Sequence, residues 1–381
     1  MRVGRLGFAV VAALILATPG AAAPPVPWTP DGPMDGANDK GNTFPVRVVP
    51  RGAAARGLPM AARQISPSWE WQGRRWSLDA YMDAYNVSGV LVLKDGQVVL
   101  ERYAQGRAPT DRWVSQSVAK SVTSLLAGAA IQDGKLRLTD PIVRFVPELK
   151  GSAYEGVTLR QLLTMSSGVK WEEGYVGATS DLFKYYQAAL KGDQVATFMA
   201  SLPRARPPGS TFHYNTAETH LTGLVISRAV GMPLADYLSL KIWKPYGMER
   251  DGAWHVDPMG RELAGCCLLM TLGDYARLGQ FTLDGGIIGG QPVVPRNWIA
   301  ESTRRQIDNG RKPPAGYGYF WWIGPEAYEA SGIYGQSILV YPKERIVIAV
   351  NSQWPKPDDK ALFEALGAFQ KAVREAATTA P

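Results

Sequence analysis

What this sequence has least of narrows it first. Its 381 residues include only 2 cysteines and 3 histidines. The cysteines, Cys266 and Cys267, are neighbours, and adjacent residues cannot close an ordinary bridge without distorting the peptide between them. The expectation is therefore a chain that relies on its core, with no usable disulfide. No Cys/His group has metal-ligand spacing, so neither a metal nor another cofactor is expected. The sequence has no G-x-S-x-G elbow, and none of His213, His220 and His255 has a clear serine partner, which disfavours a Ser-His-Asp hydrolase. Each histidine reads as structural. No apolar run reaches the length of a membrane span, and no internal repeat is visible.

Charge of one sign is also not concentrated. The formal net charge is +7, but the basic residues are scattered, so nucleic acid is not an expected partner. Two of the arginines, Arg2 and Arg5, precede an apolar run from Leu6 to Ala17 and small residues at Gly20, Ala22 and Ala23. That order is a secretory signal peptide over residues 1–23, with no cysteine to carry a lipid. Its removal takes the charge from +7 to about +5. The expected mature protein is soluble, periplasmic or secreted, and not stably inserted in a membrane.

Residues 24–66 are rich in Pro, Gly and Ala and read as an arm with no assigned element, followed by one domain over 67–381. The segment "SGVLVLKDGQVVLERY" alternates around Asp95-Gly96, a hairpin signal. A second hairpin pairs Ser337–Tyr341 with Ile346–Val350, and an amphipathic helix from Lys360 closes the chain. Helical patterns lie between, at 117–132, 159–163, 180–190, 217–230, 234–241 and 271–283. The expected fold class is α+β: one antiparallel β-sheet built from about 67–112 and 315–381, flanked by helices, with an inserted all-helical subdomain. The cleft between sheet and helices is the natural site.

Ser117-Val118-Ala119-Lys120 fits S-x-x-K, a spacing that places both side chains on one helix face a turn apart. A neutral lysine can take the hydroxyl proton if burial lowers its pKa, and a helix N-terminus favours negative charge on the oxygen. A chain this long holds roughly one or two such pairs by chance, and Ser167-Gly168-Val169-Lys170 is a second. That copy contains glycine and follows a helix into a loop, so nothing holds its side chains together. Lys120 instead leads a run of small and apolar residues, where a lysine has to be paired or functional.

Further along, Tyr214-Asn215-Thr216 sits where a long helix begins, with Thr216 as the expected N-cap. A tyrosine there can carry a proton beside the lysine, with a pKa lowered by the nearby cation. Gly332 and Gly335 precede and open a strand, a place where a backbone or ligand approaches closely, or simply a bulge.

Taken in order, "SQSVAKSVTS", "VTLRQLLTMSSGV", "PPGSTFHYNTAETHLTGLVI", "AGCCLLMTLGDYARLGQF", "GYGYFWW" and "GIYGQSILVYP" resemble the serine beta-lactamase-like superfamily of class C type. Within it they look most like 6-aminohexanoate-dimer hydrolases and family VIII carboxylesterases. The resemblance implies that Ser117 is acylated, that Lys120 is its base and that Tyr214 relays a proton to the leaving group and later activates water. It implies an oxyanion hole formed by the N–H groups of Ser117 and Ile333. Two departures stand out: the usual Tyr-x-Asn reads Tyr214-Asn215-Thr216, and the usual Lys-Thr-Gly reads Ala330-Ser331-Gly332. With no obvious cation for a carboxylate, efficient beta-lactamase or D-Ala peptidase activity is not expected, and a small linear amide or ester is the expected substrate. On the loop "VKWEEGYVGATSD", Tyr175 is expected to close over substrate and Asp181 to meet an amino group, with Thr216 and Gly332 also touching substrate; a solvated acidic loop is the competing reading. Trp321 and Trp322 line the acyl side or fill core. The alternative of another class is a non-catalytic ligand-binding protein on the same scaffold, consistent with the altered motifs.

Overall fold

The computed structural model describes residues 45–176, 178–192 and 194–379. The expected signal segment, 1–23, and residues 24–44 of the arm lie outside them.

Both hairpins form. Strand β1 (Val87–Lys94) turns at Asp95 and Gly96, both at positive φ, into β2 (Gln97–Tyr103). Two positive φ values in sequence match the strand twist, which is why an Asp-Gly pair closes this hairpin. Near the other end come β3 (Gly316–Tyr317), β4 (Trp322–Ile323), β5 (Tyr328–Ser331), β6 (Ser337–Tyr341) and β7 (Ile346–Ser352). They make one antiparallel seven-stranded sheet in the order β3-β4-β5-β6-β7-β1-β2, so the two ends of the domain share a sheet.

Alternation along the strands splits the interior in two. Leu91, Leu93, Ile338, Val340, Val347 and Ala349 join one core, while Val90, Val92, Leu339, Ile346, Ile348 and Val350 join the other. Helices cover both faces. Those that matter here are α1 (Val118–Gln132), α2 (Thr216–Val230), α3 (Leu272–Leu283) and α4 (Lys360–Thr379). Helix α3 lies on the first face, where a Cβ on Gly279 would stand 2.4 Å from Val347 Cγ1; only glycine admits so close an approach. Helix α4 covers the second face with Leu366, Phe369 and Val373.

The helical region between residues 118 and 283 is not all-helical. It is braced by a second antiparallel sheet in the order Val46–Val49, Gly252–His255, Leu268–Thr271, Arg112–Val114. The first of these strands comes from the arm, which had no expected element. Val49 is completely buried opposite Gly252, and Arg47 pairs with Glu262 at 2.8 Å, so tertiary pairing orders a stretch whose local composition reads as loop.

Two local readings change. The helix expected over 234–241 splits into an α-helix at Leu234–Leu238 and a π-helical turn at Ser239–Trp243. Cys266 and Cys267 do form a disulfide, with each other. Cys267 adopts φ +71 in a tight turn, with the Cys266 carbonyl accepting from Trp254 Nε1 at 3.0 Å and the Cys267 carbonyl from His255 N at 3.1 Å. The turn provides the peptide conformation that an ordinary one lacks. Among the described residues no helix is long and apolar enough to cross a membrane.

Candidate active site

The second sheet sets Ser117. Val114 pairs with Leu269, Ser115 N donates to Leu268 O at 2.8 Å, and Leu268 N returns a bond to Ser115 Oγ at 3.0 Å. Gln116 then takes φ +46, a left-handed conformation costly for a non-glycine residue, and the chain turns into α1 at Ser117. Ser117 is the N-cap residue, yet its side chain makes no capping bond. Its oxygen is left for another partner.

That partner is Lys120, whose Nζ donates to Ser117 Oγ at 2.9 Å and to Gly265 O at 2.8 Å. Gly265 lies in the turn three residues before Leu268, where the strand paired with Arg112–Val114 begins, so the lysine's two partners are held at neighbouring ends of one sheet. Lys120 is 2 % exposed. Burial pushes its pKa down to about 8, with the Glu173 charge pulling the other way.

Tyr214 completes a cluster, its ring centroid 5.0 Å from Lys120 Nζ. The sequence-based expectation of a lowered phenol pKa is reversed. Burial raises it well above its ordinary value, Glu173 adds to that, and a hydrogen bond with Ser117 only partly offsets the rise. Tyr214 is therefore a phenol that keeps its proton. The next residue, Asn215, is the true N-cap of α2, and its Oδ1 accepts from Glu218 N at 3.0 Å. Thr216, expected as the cap, instead donates from its backbone N to Glu173 at 2.9 Å and from its hydroxyl to the same carboxylate.

Glu173 is the residue that sequence reasoning missed. It also accepts from Trp171 Nε1 at 2.6 Å and from the Tyr175 hydroxyl at 2.9 Å, so one carboxylate ties the 171–175 loop to the start of α2. The available signal was the doubled acid in "WEEGY", a loop on which Tyr175 and Asp181 were the expected site residues and Glu173 had no role.

A cleft of about 720 Å³ opens over these groups, lined by Ser117, Tyr214, Tyr175, Trp322, Gly332 and Ile333 among others. Gly332 N is spent on Gln336 O at 2.7 Å, and the Ile333 carbonyl accepts from Asp358 N at 3.1 Å, which pins the strand edge beside Ser117. A Cβ on Gly332 would sit 2.6 Å from Gln336 Oε1 and 3.0 Å from Gln116 Cβ. Trp322 is at the cleft; Trp321 is core, 2 % exposed and packed edge-on against Tyr328.

Asp181 is not brought to the cleft. It opens the 181–190 helix, accepts from Glu172 N at 3.1 Å and pairs with Lys184 at 3.1 Å. The competing S-x-x-K pair is separated: Ser167 donates to the buried Glu218 carboxylate, while Lys170 is exposed. His220 packs between Tyr185 and Tyr186, and burial drives its pKa down to about 3. The cleft does hold cations that the third motif lacks, Arg311 and Lys360. Among the described residues no group of three or more metal-ligating side chains is assembled.

A buried base of lowered pKa on a serine hydroxyl, with a protonated phenol beside it, is chemistry for acyl transfer. Comparisons with known proteins agree with that class. The chain is 32 % identical over 288 residues to the 6-aminohexanoate-dimer hydrolase of Paenarthrobacter ureafaciens, covering 71 % of this chain and 73 % of the relative. A Bacillus anthracis structure named as a candidate 6-aminohexanoate-dimer hydrolase superposes with TM-score 0.78 at 24 % identity, covering 88 % of this chain and 90 % of that one. A family VIII carboxylesterase superposes with TM-score 0.58 at 16 % identity, over 77 % and 96 % of the two chains. These two structures speak for the fold. The beta-lactamase family description matches residues 77–371, and the chain belongs to the beta-lactamase family.

Proposed function

We propose that the protein is an exported serine hydrolase that cleaves a linear amide or carboxylic ester through an acyl-enzyme on Ser117. The observation that carries this reading is the 2.9 Å contact between Ser117 Oγ and a buried Lys120 whose pKa burial has lowered to about 8. Neutral Lys120 takes the Oγ proton as Oγ attacks the substrate carbonyl. The oxyanion sits between the N–H groups of Ser117 and Ile333. The first precedes the hydrogen-bonded turns of α1 and so has no intrahelical acceptor. Each such donor contributes about 2.7–4 kcal/mol to the transition state.

Tyr214 keeps its proton until the carbon–heteroatom bond breaks, then passes it to the departing amine or alcohol and recovers one from Lys120. Water reverses the sequence: it loses a proton through Tyr214 to Lys120, attacks the ester and releases the acid, returning Ser117. Export rests on the basic start and apolar run of residues 1–23.

The test is a panel of p-nitrophenyl esters, a linear amide and a chromogenic cephalosporin, run on wild type and Ser117→Ala. Turnover of ester or amide that disappears in Ser117→Ala supports the reading. Turnover that survives the substitution sinks it.

A further inference from the structure

A lowered pKa is not enough to make Lys120 a base; its lone pair must also point at Ser117. Neutral Lys120 keeps two N–H bonds and one lone pair, and only the lone pair can take a proton. Gly265 O accepts from Nζ at 2.8 Å, with Ser117 Oγ at 2.9 Å. The carbonyl holds one N–H and leaves the lone pair to the hydroxyl. Gly265 itself is held on two sides. The peptide before it donates its N–H to His220 Nδ1 at 3.4 Å, and its Ala264 oxygen accepts from Thr123 Oγ1 at 2.8 Å. A Cβ on Gly265 would stand 2.9 Å from Thr216 O and 3.4 Å from His220 Nε2, so only glycine lets this turn press so closely on α2.

The His220 ring is built to accept that bond. It is 4 % exposed and stacks on Tyr185 at 5.4 Å between centroids, with Tyr186 edge-on at 6.1 Å. Burial and the Lys120 charge drive its pKa down to about 3, so the ring is neutral at working pH and Nδ1 stays an acceptor. The proton then sits on Nε2, which is buried with no partner among the described residues. An unpaired ring nitrogen costs stability, which a phenyl ring in the same stack would not. On its other side the ring borders a cavity of about 320 Å³ whose charged lining is paired: Asp257 with Arg261, Glu262 with Arg47 and Arg228 with Glu148. The groups facing Lys120 are Glu173, Tyr214 and this ring.

We propose that His220 is a positioning residue for the base: by holding the Gly265 N–H on Nδ1, it sets the Gly265 carbonyl on Lys120 and so aims the Lys120 lone pair at Ser117. This inference rests on the Ser117 hydrolase reading for the base, but the tautomer it demands, with the proton on Nε2 and none on Nδ1, is a property of the ring alone. Loss of the Nδ1 acceptor has two effects of known sign. The Gly265 carbonyl favours the ammonium form, so releasing it lowers the Lys120 pKa further. The amine, no longer oriented, also reacts more slowly.

Two variants separate acceptor from packing. His220→Phe keeps a stacked ring and removes the acceptor, while His220→Asn keeps an acceptor at the place of Nδ1 and removes the ring. The readout is single-turnover release of p-nitrophenol from p-nitrophenyl butanoate, enzyme in excess, from pH 6 to 9. His220→Phe is expected to lower the plateau rate about tenfold, the size of one hydrogen bond, and to move the midpoint about one unit to the acid side of wild type. His220→Asn is expected to recover the wild-type midpoint and most of the plateau. The reverse order, with Phe near wild type and Asn impaired, overturns the proposal, as does a fall in both with the midpoint unmoved. A second measurement needs no variant to fold: the wild-type protein with 15N-labelled histidine has only 3 imidazoles to resolve, and that of His220 is assigned by its contact with the Tyr185 ring. It is expected as the neutral Nε2–H tautomer throughout pH 6 to 9. An Nδ1–H tautomer, or protonation in that range, overturns the proposal. Wild type that is not acylated at any pH removes the hydrolase reading and the proposal together, whereas acylation with a midpoint indifferent to the acceptor removes the proposal alone.

Discussion

At the scale of single residues, burial moves two pKa values in the directions that the proposed mechanism needs. Lys120 is lowered to about 8, so the fraction of neutral base grows as pH rises toward 8 and levels off above it. Acylation is expected to follow that curve: the initial rate of p-nitrophenyl ester turnover should climb about tenfold per pH unit well below 8 and flatten above it. A flat profile from pH 6 to 9 contradicts the assignment. Lys120→Ala should cost about 10²–10⁴-fold in acylation, and Lys120→Arg should not restore it, because a guanidinium does not give up its proton. Tyr214 is raised, so in the proposed mechanism its proton goes to the leaving group. Tyr214→Phe is expected to slow acylation by an amide far more than acylation by a p-nitrophenyl ester, read as the burst of p-nitrophenol, whose release needs no proton. Equal losses on both would assign Tyr214 to positioning.

The contact between Ser117 and Lys120 was legible at this scale, since S-x-x-K at a helix start carries its own geometry. Glu173 was not. Its role arises from four donors converging from a loop and a helix start distant in sequence, and no local pattern encodes that.

At the scale of elements, the start of α2 is where sequence and structure part by one residue. Thr216 and Asn215 are both good caps, and local propensity does not choose between them. The choice falls to Asn215 because Glu173 occupies Thr216. Asn215→Ala should lower stability by about 1 kcal/mol, measured by denaturant titration, and should also reduce amide turnover, since the cap fixes the backbone next to Tyr214. A stability loss with unchanged turnover would separate the cap from the site. The turn at 265–267 is the other element whose reading changed. If Cys266 and Cys267 are bonded to each other as found, denatured but unreduced protein should take up no iodoacetamide by intact mass, and reduced protein should take up two. Uptake before reduction contradicts the bridge.

At the scale of the whole molecule, two sheets divide the labour. The large sheet was legible because each hairpin announces itself by alternation, and its edge at Gly332 and Ile333 forms one wall of the cleft. The small sheet was not, because its strands have only three or four residues each and come from four separated segments, too little for a period to register. Yet it is the small sheet that aims Ser117 and Gly265 at Lys120. Deleting residues through 50 removes the strand Val46–Val49, and with it the burial of Val49, worth about 1.5–3 kcal/mol. The truncated protein should unfold at lower denaturant and lose activity in step, because its loss unbraces the ladder behind the site. Full stability after truncation would show that the arm is dispensable.

The central claim is a covalent bond to one oxygen. Intact mass and peptide mapping after brief exposure to a fluorophosphonate should show a single adduct on Ser117, formed much more slowly in Lys120→Ala. An adduct on Ser167, or an unmodified protein that still turns over ester, would contradict the account.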